Sequence, residues 1–315
     1  MSIIVDRWYY GIWTLPPLNF LHFNLSQNLA VFYGRNRWDY YLTEGLPLLL
    51  TTYTPFAAMA VYKALFVSRK TDRRANTGAK ARLNPFGILA LTIMFSVAFL
   101  SLISHKEVRF VYPLLPALHV LAAAQVARFI QPPSNHRRGA VLLLLVLLNI
   151  LIAIYASQVH QRGVIDVIDH LRQQHELRLE HDSSSRTSVG FLMPCHSTPW
   201  RTRLVYPNID AWALTCEPPL DVPLDQRSSY LDEADQFYLK PEAWLDTNMR
   251  QPGGDAWDIT GKREWPEYVV FFQQLEPVIR KVLENTTYGE CWRGFNSHWH
   301  DDWRRHGDVV VWCRK

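Results

Sequence analysis

The sequence predicts an α-helical membrane domain of four transmembrane helices followed by a mixed α/β domain, and three observations carry that reading. First, residues 45–157 are mostly apolar, whereas 158–315 are polar, charged and rich in aromatics, so the mean hydropathy of −0.11 conceals a division. Second, the apolar half contains runs long enough to cross about 30 Å of hydrocarbon as helices. Third, the polar half mixes a helical stripe with short β-branched and aromatic runs. A chain of 315 residues has room for both domains.

Residues 1–44 read as an aromatic-rich loop with Trp8, Tyr9, Tyr10, Trp13, the Pro16–Pro17 pair, Phe32–Tyr33–Gly34 and Trp38. It is too polar to span and too aromatic for a free tail, so an interfacial position is expected. The spans predicted within 45–157 are Gly45–Val67, Phe86–Ser104, Phe110–Ile130 and Ala140–Ser157. Lys63 lies near one span end, where its ammonium can snorkel to the headgroups. Ser68–Arg82 carries six Lys/Arg against one Asp, and Arg128, Arg137 and Arg138 mark a second basic turn. Basic loops stay cytoplasmic. Alternation then makes 1–44, the turn near 104–110 and the domain 158–315 luminal. The sequons at Asn24 and Asn285 both fall in these luminal segments, as do all four cysteines.

In the luminal half, Val164, Ile165, Ile168 and Leu171 form a helical stripe from Val159 to about Arg178. Strands are expected at Ser188–Met193, Ala211–Cys216, Tyr268–Phe272 and Asp308–Cys313. Helices are expected around Asp232–Leu245, capped by Asp232, and Gln274–Glu284, with a turn at Gln251–Gly254. Cys195, Cys216, Cys291 and Cys313 allow three pairings, between which sequence does not choose. At least one disulfide is expected, within Cys195/Cys216 or Cys291/Cys313, each closing a loop of about twenty residues. Four buried thiols are the alternative.

The chemistry concentrates at Ser104–His105–Lys106–Glu107–Val108–Arg109–Phe110, a charged turn wedged between two apolar runs. There His105, Lys106 and Arg109 can stabilise an anionic leaving group at a membrane surface. Glu107 can fix their rotamers or act as a base, and is the candidate catalytic residue in this chain. The plainer reading is a turn that anchors helix ends. Cys195–His196 is not a dyad, because strand neighbours point apart. His298–Trp299–His300 places two rings on one strand face but lacks further ligands at zinc spacing, so no metal is expected. His119, mid-span, reads as hydrogen-bonded packing or as a functional group. No Asp-x-Asp motif, Gly-rich phosphate loop or GxSxG is present, and a net charge of +4 without a basic arm excludes nucleic acid.

HKEVRF followed by VYPLLP resembles the HKE-x-RF signature of the family 22 glycosyltransferases, membrane mannosyltransferases of the endoplasmic reticulum. Asp6–Gly11, Pro17–Phe20, Phe32–Gly34, Tyr40–Tyr41 and Gly45–Pro47 are similar to that family's luminal loop. Phe191–Pro199, Leu214–Pro219, Asp232–Asp235 and Asn296–Asp302 resemble the branch that adds the third mannose of the glycosylphosphatidylinositol (GPI) precursor. The resemblance implies a GT-C type fold and dolichyl-phosphate mannose as donor substrate, with no separate cofactor. It further implies a GPI glycolipid acceptor, α1,2-linked transfer with inversion, and residence in the endoplasmic reticulum membrane. His105, Lys106 and Arg109 become the donor-phosphate residues. The similarity is to the C-terminal part of such enzymes, so the expected catalytic carboxylate lies upstream of Met1. Arg37 and Asp39 stand where the family shows Pro and His. The alternative function is a non-catalytic membrane-anchored luminal module that binds glycolipid or a partner subunit.

Overall fold

The structure is a computed structural model and describes residues 2–23, 29–67, 84–131, 136–223, 225–250 and 261–315. The sequon at Asn24, the basic loop 68–82 and the Gln251–Gly254 turn lie outside the described residues. The chain forms two compact units, Met1–Leu151 with Pro219–Leu224, and Ile152–Pro218 with Asp225–Lys315.

The first unit is helical. It comprises α1 (Ser2–Tyr10), α2 (Pro16–Leu21), α3 (Leu46–Leu50), α4 (Thr54–Tyr62), α5 (Pro85–Ser101), α6 (Leu115–Ile130) and α7 (His136–Ile154). Buried Ala57, Ala60, Ala90 and Ala122 let α4, α5 and α6 approach closely, with Tyr41, Ile93, Val97, Val111 and Leu118 filling the remaining space. Small residues serve this purpose where helices meet in lipid.

Among the described residues, two stretches are long and apolar enough to cross a membrane, Val108–Ile130 and His136–Val159. The other two expected spans differ from expectation. Helix α5 is apolar but only 17 residues long, about 26 Å at 1.5 Å per residue. Gly45–Val67 is not one continuous helix. It breaks at Thr51, which takes φ 47 between α3 and α4. Pro47 and Pro55 lack amide hydrogens, and the threonines between them offer local hydroxyl partners to the freed backbone. Thr54 Oγ1 donates to Thr51 O at 2.8 Å. Thr51 Oγ1 donates to Asn149 Oδ1, and Asn149 Nδ2 donates to Thr52 Oγ1, both at 2.7 Å, which ties the break to α7. Lys63 donates to Gln125 Oε1 of α6 at 2.9 Å. His119 stacks on Tyr53 at 4.9 Å, its Nδ1 set against Leu115 O.

The second unit is a three-layer α/β/α sandwich. Its elements are α8 (Gly163–His181), β1 (Thr187–Phe191), α9 (Trp200–Arg203), β2 (Ile209–Ala213), α10 (Glu233–Leu239), α11 (Pro241–Asn248), β3 (Tyr268–Phe272), α12 (Glu276–Val282), β4 (Tyr288–Gly294) and β5 (Val309–Arg314). The sheet order is β2-β1-β3-β5-β4. Strands β2, β1 and β3 run parallel, and β5 pairs antiparallel with both β3 and β4. Period-two alternation assigns the two faces. Val189, Phe191, Tyr268, Val270, Val309 and Val311 pack against Val164, Val167, Ile168 and Leu171 of α8. Val269, Phe271, Val310 and Trp312 pack against Phe237, Trp244, Leu245 and Ile279 of α10, α11 and α12.

Asp232 caps α10 by accepting Asp235 N at 2.6 Å. The expected helix Asp232–Leu245 is two helices, because Pro241 starts a new one after Lys240 at φ −145. Strand β4 was not expected from sequence. Its YGECWRG carries charges and glycines, and a bulge between Glu290 and Trp292 disturbs the alternation. Cys195 is paired with Cys216 and Cys291 with Cys313, with Cα–Cα distances of 6.1 and 5.9 Å. Asn285 is exposed after α12, at φ 62.

Candidate functional site

The charged turn follows α5 and runs into the 3-10 turn Val108–Leu114 that leads into α6. Three of its side chains form one cluster. Glu107 is the hub. Arg109 Nη2 donates to Glu107 Oε1 at 2.7 Å and Arg109 Nε lies 2.5 Å from Oε2, a two-point ion pair. His105 Nε2 lies 3.1 Å from the same Oε1, and His105 Nδ1 lies 3.3 Å from Gly34 O. Both ring nitrogens therefore face oxygen acceptors. Burial pushes the Glu107 carboxyl up, but hydrogen bonds from His105 and Arg109 and their charges outweigh it and hold the group below the usual glutamate range.

Gly34 makes this contact possible. It sits at φ 116, where a side chain is strained, and turns its carbonyl toward His105. Asn36 closes the turn from the other side: its Oδ1 accepts Lys106 N at 2.8 Å, and its own N donates to Ser104 O at 3.0 Å. The expected Phe32–Gly34 loop and the HKEVR turn are thus one structure.

Lys106 is placed differently from its neighbours. It is only 4% exposed, and its Nζ donates to Ile103 O at 2.7 Å. Burial, helped by the charge of Arg35, lowers the ammonium below the ordinary lysine range. Its role is to close carbonyls left open at the carboxyl end of α5, as a cation at a helix C-terminus does. Arg109, with its side chain 68% exposed, is the cation that the turn presents outward. Arg37 and Asp39, at the positions that depart from the family pattern, pair with each other at 2.7 Å.

The other expected clusters lie in the second unit, where their side chains meet protein partners. His298 Nδ1 meets Tyr155 OH at 2.8 Å, while His300 Nδ1 accepts Asp302 N at 2.9 Å, so the two rings serve different partners. Cys195, Cys216 and Asp232 are the one group of potential metal ligands that lies close together among the described residues. The two sulfurs are bonded to each other. Arg304 and Arg305, which the sequence reading passed over, join the family-like motifs. Arg304 bridges Asp302 at 2.9 Å and Asp235 at 2.8 Å, and Arg305 donates to Cys195 O at 2.7 Å. No spacing in the sequence signals the pairing of Arg304 with Asp235 or of Arg305 with Cys195, 69 and 110 residues apart.

Comparison with known proteins shows the family. Residues 1–204 match the model of the Alg9-like mannosyltransferase family. The chain belongs to the Alg9-like mannosyltransferase family. It is 44% identical to GPI mannosyltransferase 3 of Aspergillus fumigatus, with 99% of this chain and 45% of that protein aligned. GPI mannosyltransferase 3 of Emericella nidulans is likewise 44% identical, over 99% of this chain and 51% of its own length. GPI alpha-1,2-mannosyltransferase 3 of Mus musculus is 34% identical, over 98% of this chain and 49% of its own length. The chain spans about half the length of the curated relatives it matches. No solved structure matches it.

Proposed function

We propose that this chain is part of a mannosyltransferase of GPI-anchor biosynthesis. In this reading it adds the third, α1,2-linked mannose from dolichyl-phosphate mannose to a GPI glycolipid. The observation that carries the reading is the similarity to GPI mannosyltransferases 3 along 99% of the chain, turn included. The geometry of the turn supports it. As the donor bond breaks, negative charge grows on the dolichyl phosphate, and cations already in place stabilise it without reorganising. Arg109 is outward-facing and oriented by Glu107, and His105 is oriented by Glu107 and Gly34. Both are prepared in that sense. Glu107, held as an ion-paired carboxylate, is assigned to positioning. Lys106 is assigned to the fold of the turn, closing the Ile103 carbonyl.

The same reading places the protein in the endoplasmic reticulum membrane with four crossings. The broken segment 45–67 and the short α5 join the two longer helices, and 1–44, the turn and 158–315 face the lumen. Broken helices occur at membrane depth where protein groups satisfy the freed backbone, and Asn149 supplies such groups at Thr51 and Thr52. Complementation tests the function. Cells lacking the third GPI mannosylation would receive the chain alone, or joined behind the N-terminal half of the Emericella nidulans relative. The expected result is conversion of the accumulated two-mannose glycolipid to the three-mannose form by the joined protein. Failure of both versions at normal expression overturns the reading.

A further inference from the structure

The chain leaves the apolar helix His136–Val159 through a cluster of aromatic rings. From Arg138 to Tyr155 this helix rises about 26 Å at 1.5 Å per residue, close to the roughly 30 Å of a bilayer's hydrocarbon. With its basic end in one headgroup layer, Tyr155 therefore reaches the other. Four further rings gather there. Tyr155 OH lies 2.8 Å from His298 Nδ1, and its ring stacks on Trp299 at 5.5 Å with an interplanar angle of 13°. His160 stacks on Trp299 at 5.9 Å, and Phe295 lies 4.7 Å from His298.

The loop that carries three of these rings is held in place. Asn296 and Ser297 are buried, and Asn296 Oδ1 accepts Val164 N at 3.4 Å in the first turn of α8. Gly163, where α8 begins, meets the loop so closely that an added Cβ would lie 2.8 Å from Phe295 O. Phe295 and Trp299 are nevertheless 44% and 62% exposed. Their exposure comes from a backbone packed against the helix that follows the span.

The chemistry of the cluster selects its surroundings. Phenol, indole and imidazole each join an apolar ring to a polar edge, so neither hydrocarbon nor bulk water suits them fully. The headgroup layer suits both parts, which is why Trp and Tyr gather at membrane interfaces. A protein partner would favour similar residue types, but nothing would fix such a site at the depth of a span end. Here the exposed indole stacks on the residue that ends the span.

We infer that the loop Phe295–Trp299 lies in the lipid headgroup layer, with the bilayer as its partner and Phe295 and Trp299 as the inserted side chains. The second unit is then held to the membrane surface twice, by the end of the span and by this loop. The inference rests on the crossing by His136–Val159 within the reading proposed above, and not on the reaction.

The test places an NBD fluorophore on single introduced cysteines in the full chain, reconstituted into phosphatidylcholine vesicles. The four native cysteines are paired, so each introduced thiol is labelled alone. The vesicles carry a nitroxide lipid with its quencher either at the headgroup or at the acyl-chain end. Labels on Phe295→Cys and Trp299→Cys should lose more emission to the headgroup quencher than to the chain-end one. Phe295→Cys leaves the Tyr155–Trp299 stack in place, so it reports even where Trp299→Cys disturbs the loop. Leu147→Cys, exposed in mid-span, should show the reverse order. Ser183→Cys, exposed beyond the far end of the 19-residue α8, should lose little to either. Labels on Phe295→Cys and Trp299→Cys that behave like Ser183→Cys overturn the inference and leave the rings to a protein partner. Labels there that follow Leu147→Cys overturn it as well, since the loop is then deeper than the headgroups. A Leu147→Cys label indifferent to both quenchers sinks the crossing itself, and the inference with it.

Discussion

Arg109 lays its guanidinium along the carboxylate of Glu107, with Nη2 2.7 Å from one oxygen and Nε 2.5 Å from the other. Such a fork fixes both side chains in one plane, which a point charge on a flexible stem does not do. It keeps Glu107 ionised and leaves Arg109 oriented yet exposed. An exposed pair contributes little to stability, about 0–1 kcal/mol. On the proposed function, its value lies in aiming a cation at a membrane-surface anion.

Lys106 should behave as a folding residue. Its buried ammonium satisfies Ile103 O, so Lys106→Met leaves that carbonyl and the α5 end open. A cost of about 1–3 kcal/mol is expected for an unsatisfied buried partner. Thermal unfolding in micelles should show a lowered midpoint, with specific activity of the surviving protein near normal. Normal stability with lost activity would move Lys106 into the phosphate site.

Glu276 gives the second unit a pH dependence with a defined sign. Its carboxyl is held below the usual range first by Arg293 and then by Arg280, against the upward push of burial. A depressed folded value stabilises above the unfolded value of about 4.3 and is lost as pH falls through the folded value. Glu276→Gln should therefore cost about 1 kcal/mol at neutral pH and nothing at about pH 2. Melting curves of both proteins at the two pH values check this, and an equal difference at both would refute it.

The disulfides predict a peptide map. Cys195 should be found linked to Cys216 and Cys291 to Cys313, across sequence separations of 21 and 22 residues. Loops of that size are worth about 3 kcal/mol each. Non-reducing digestion with mass analysis settles it, and crossed pairs or freely alkylated thiols would contradict the pairing of the loops after β1 and β2 and of strands β4 and β5.

Asn285 is exposed in a turn after α12 and should carry glycan if the second unit is luminal. Glycosidase treatment should shift the wild-type band, and Asn285→Gln should abolish that part of the shift. Cytoplasmic protease access to 158–315 in intact microsomes would reverse the topology.

Much of this fold was legible because local patterns and tertiary packing agree. The β-branched and aromatic runs at Tyr268–Phe272 and Asp308–Cys313 and the stripe at Val164–Leu171 mark segments that the sandwich buries. Asp232 announced its cap by identity. The break at Thr51 was not legible, since Asn149, nearly a hundred residues away, supplies the hydrogen bonds that permit it. Nor was the division of labour within the turn. His105, Lys106 and Arg109 read alike as cations. Only the carbonyl of Ile103 beneath Lys106 and the carboxylate beside Arg109 separate an anchor from a presented charge.

The central claim is that Arg109 acts on the donor phosphate through an oriented guanidinium. Its most direct test is mannose transfer in microsomes by a complete enzyme carrying Arg109→Lys, at matched protein level. Lysine keeps the charge and still anchors a helix end, but it loses the fork that Glu107 aligns. Losing one charge-assisted hydrogen bond in the transition state should raise the barrier by about 1–3 kcal/mol, a loss of roughly fivefold to more than a hundredfold in rate. Expression and membrane insertion should be unchanged. Transfer at the wild-type rate by the Arg109→Lys enzyme would contradict the account.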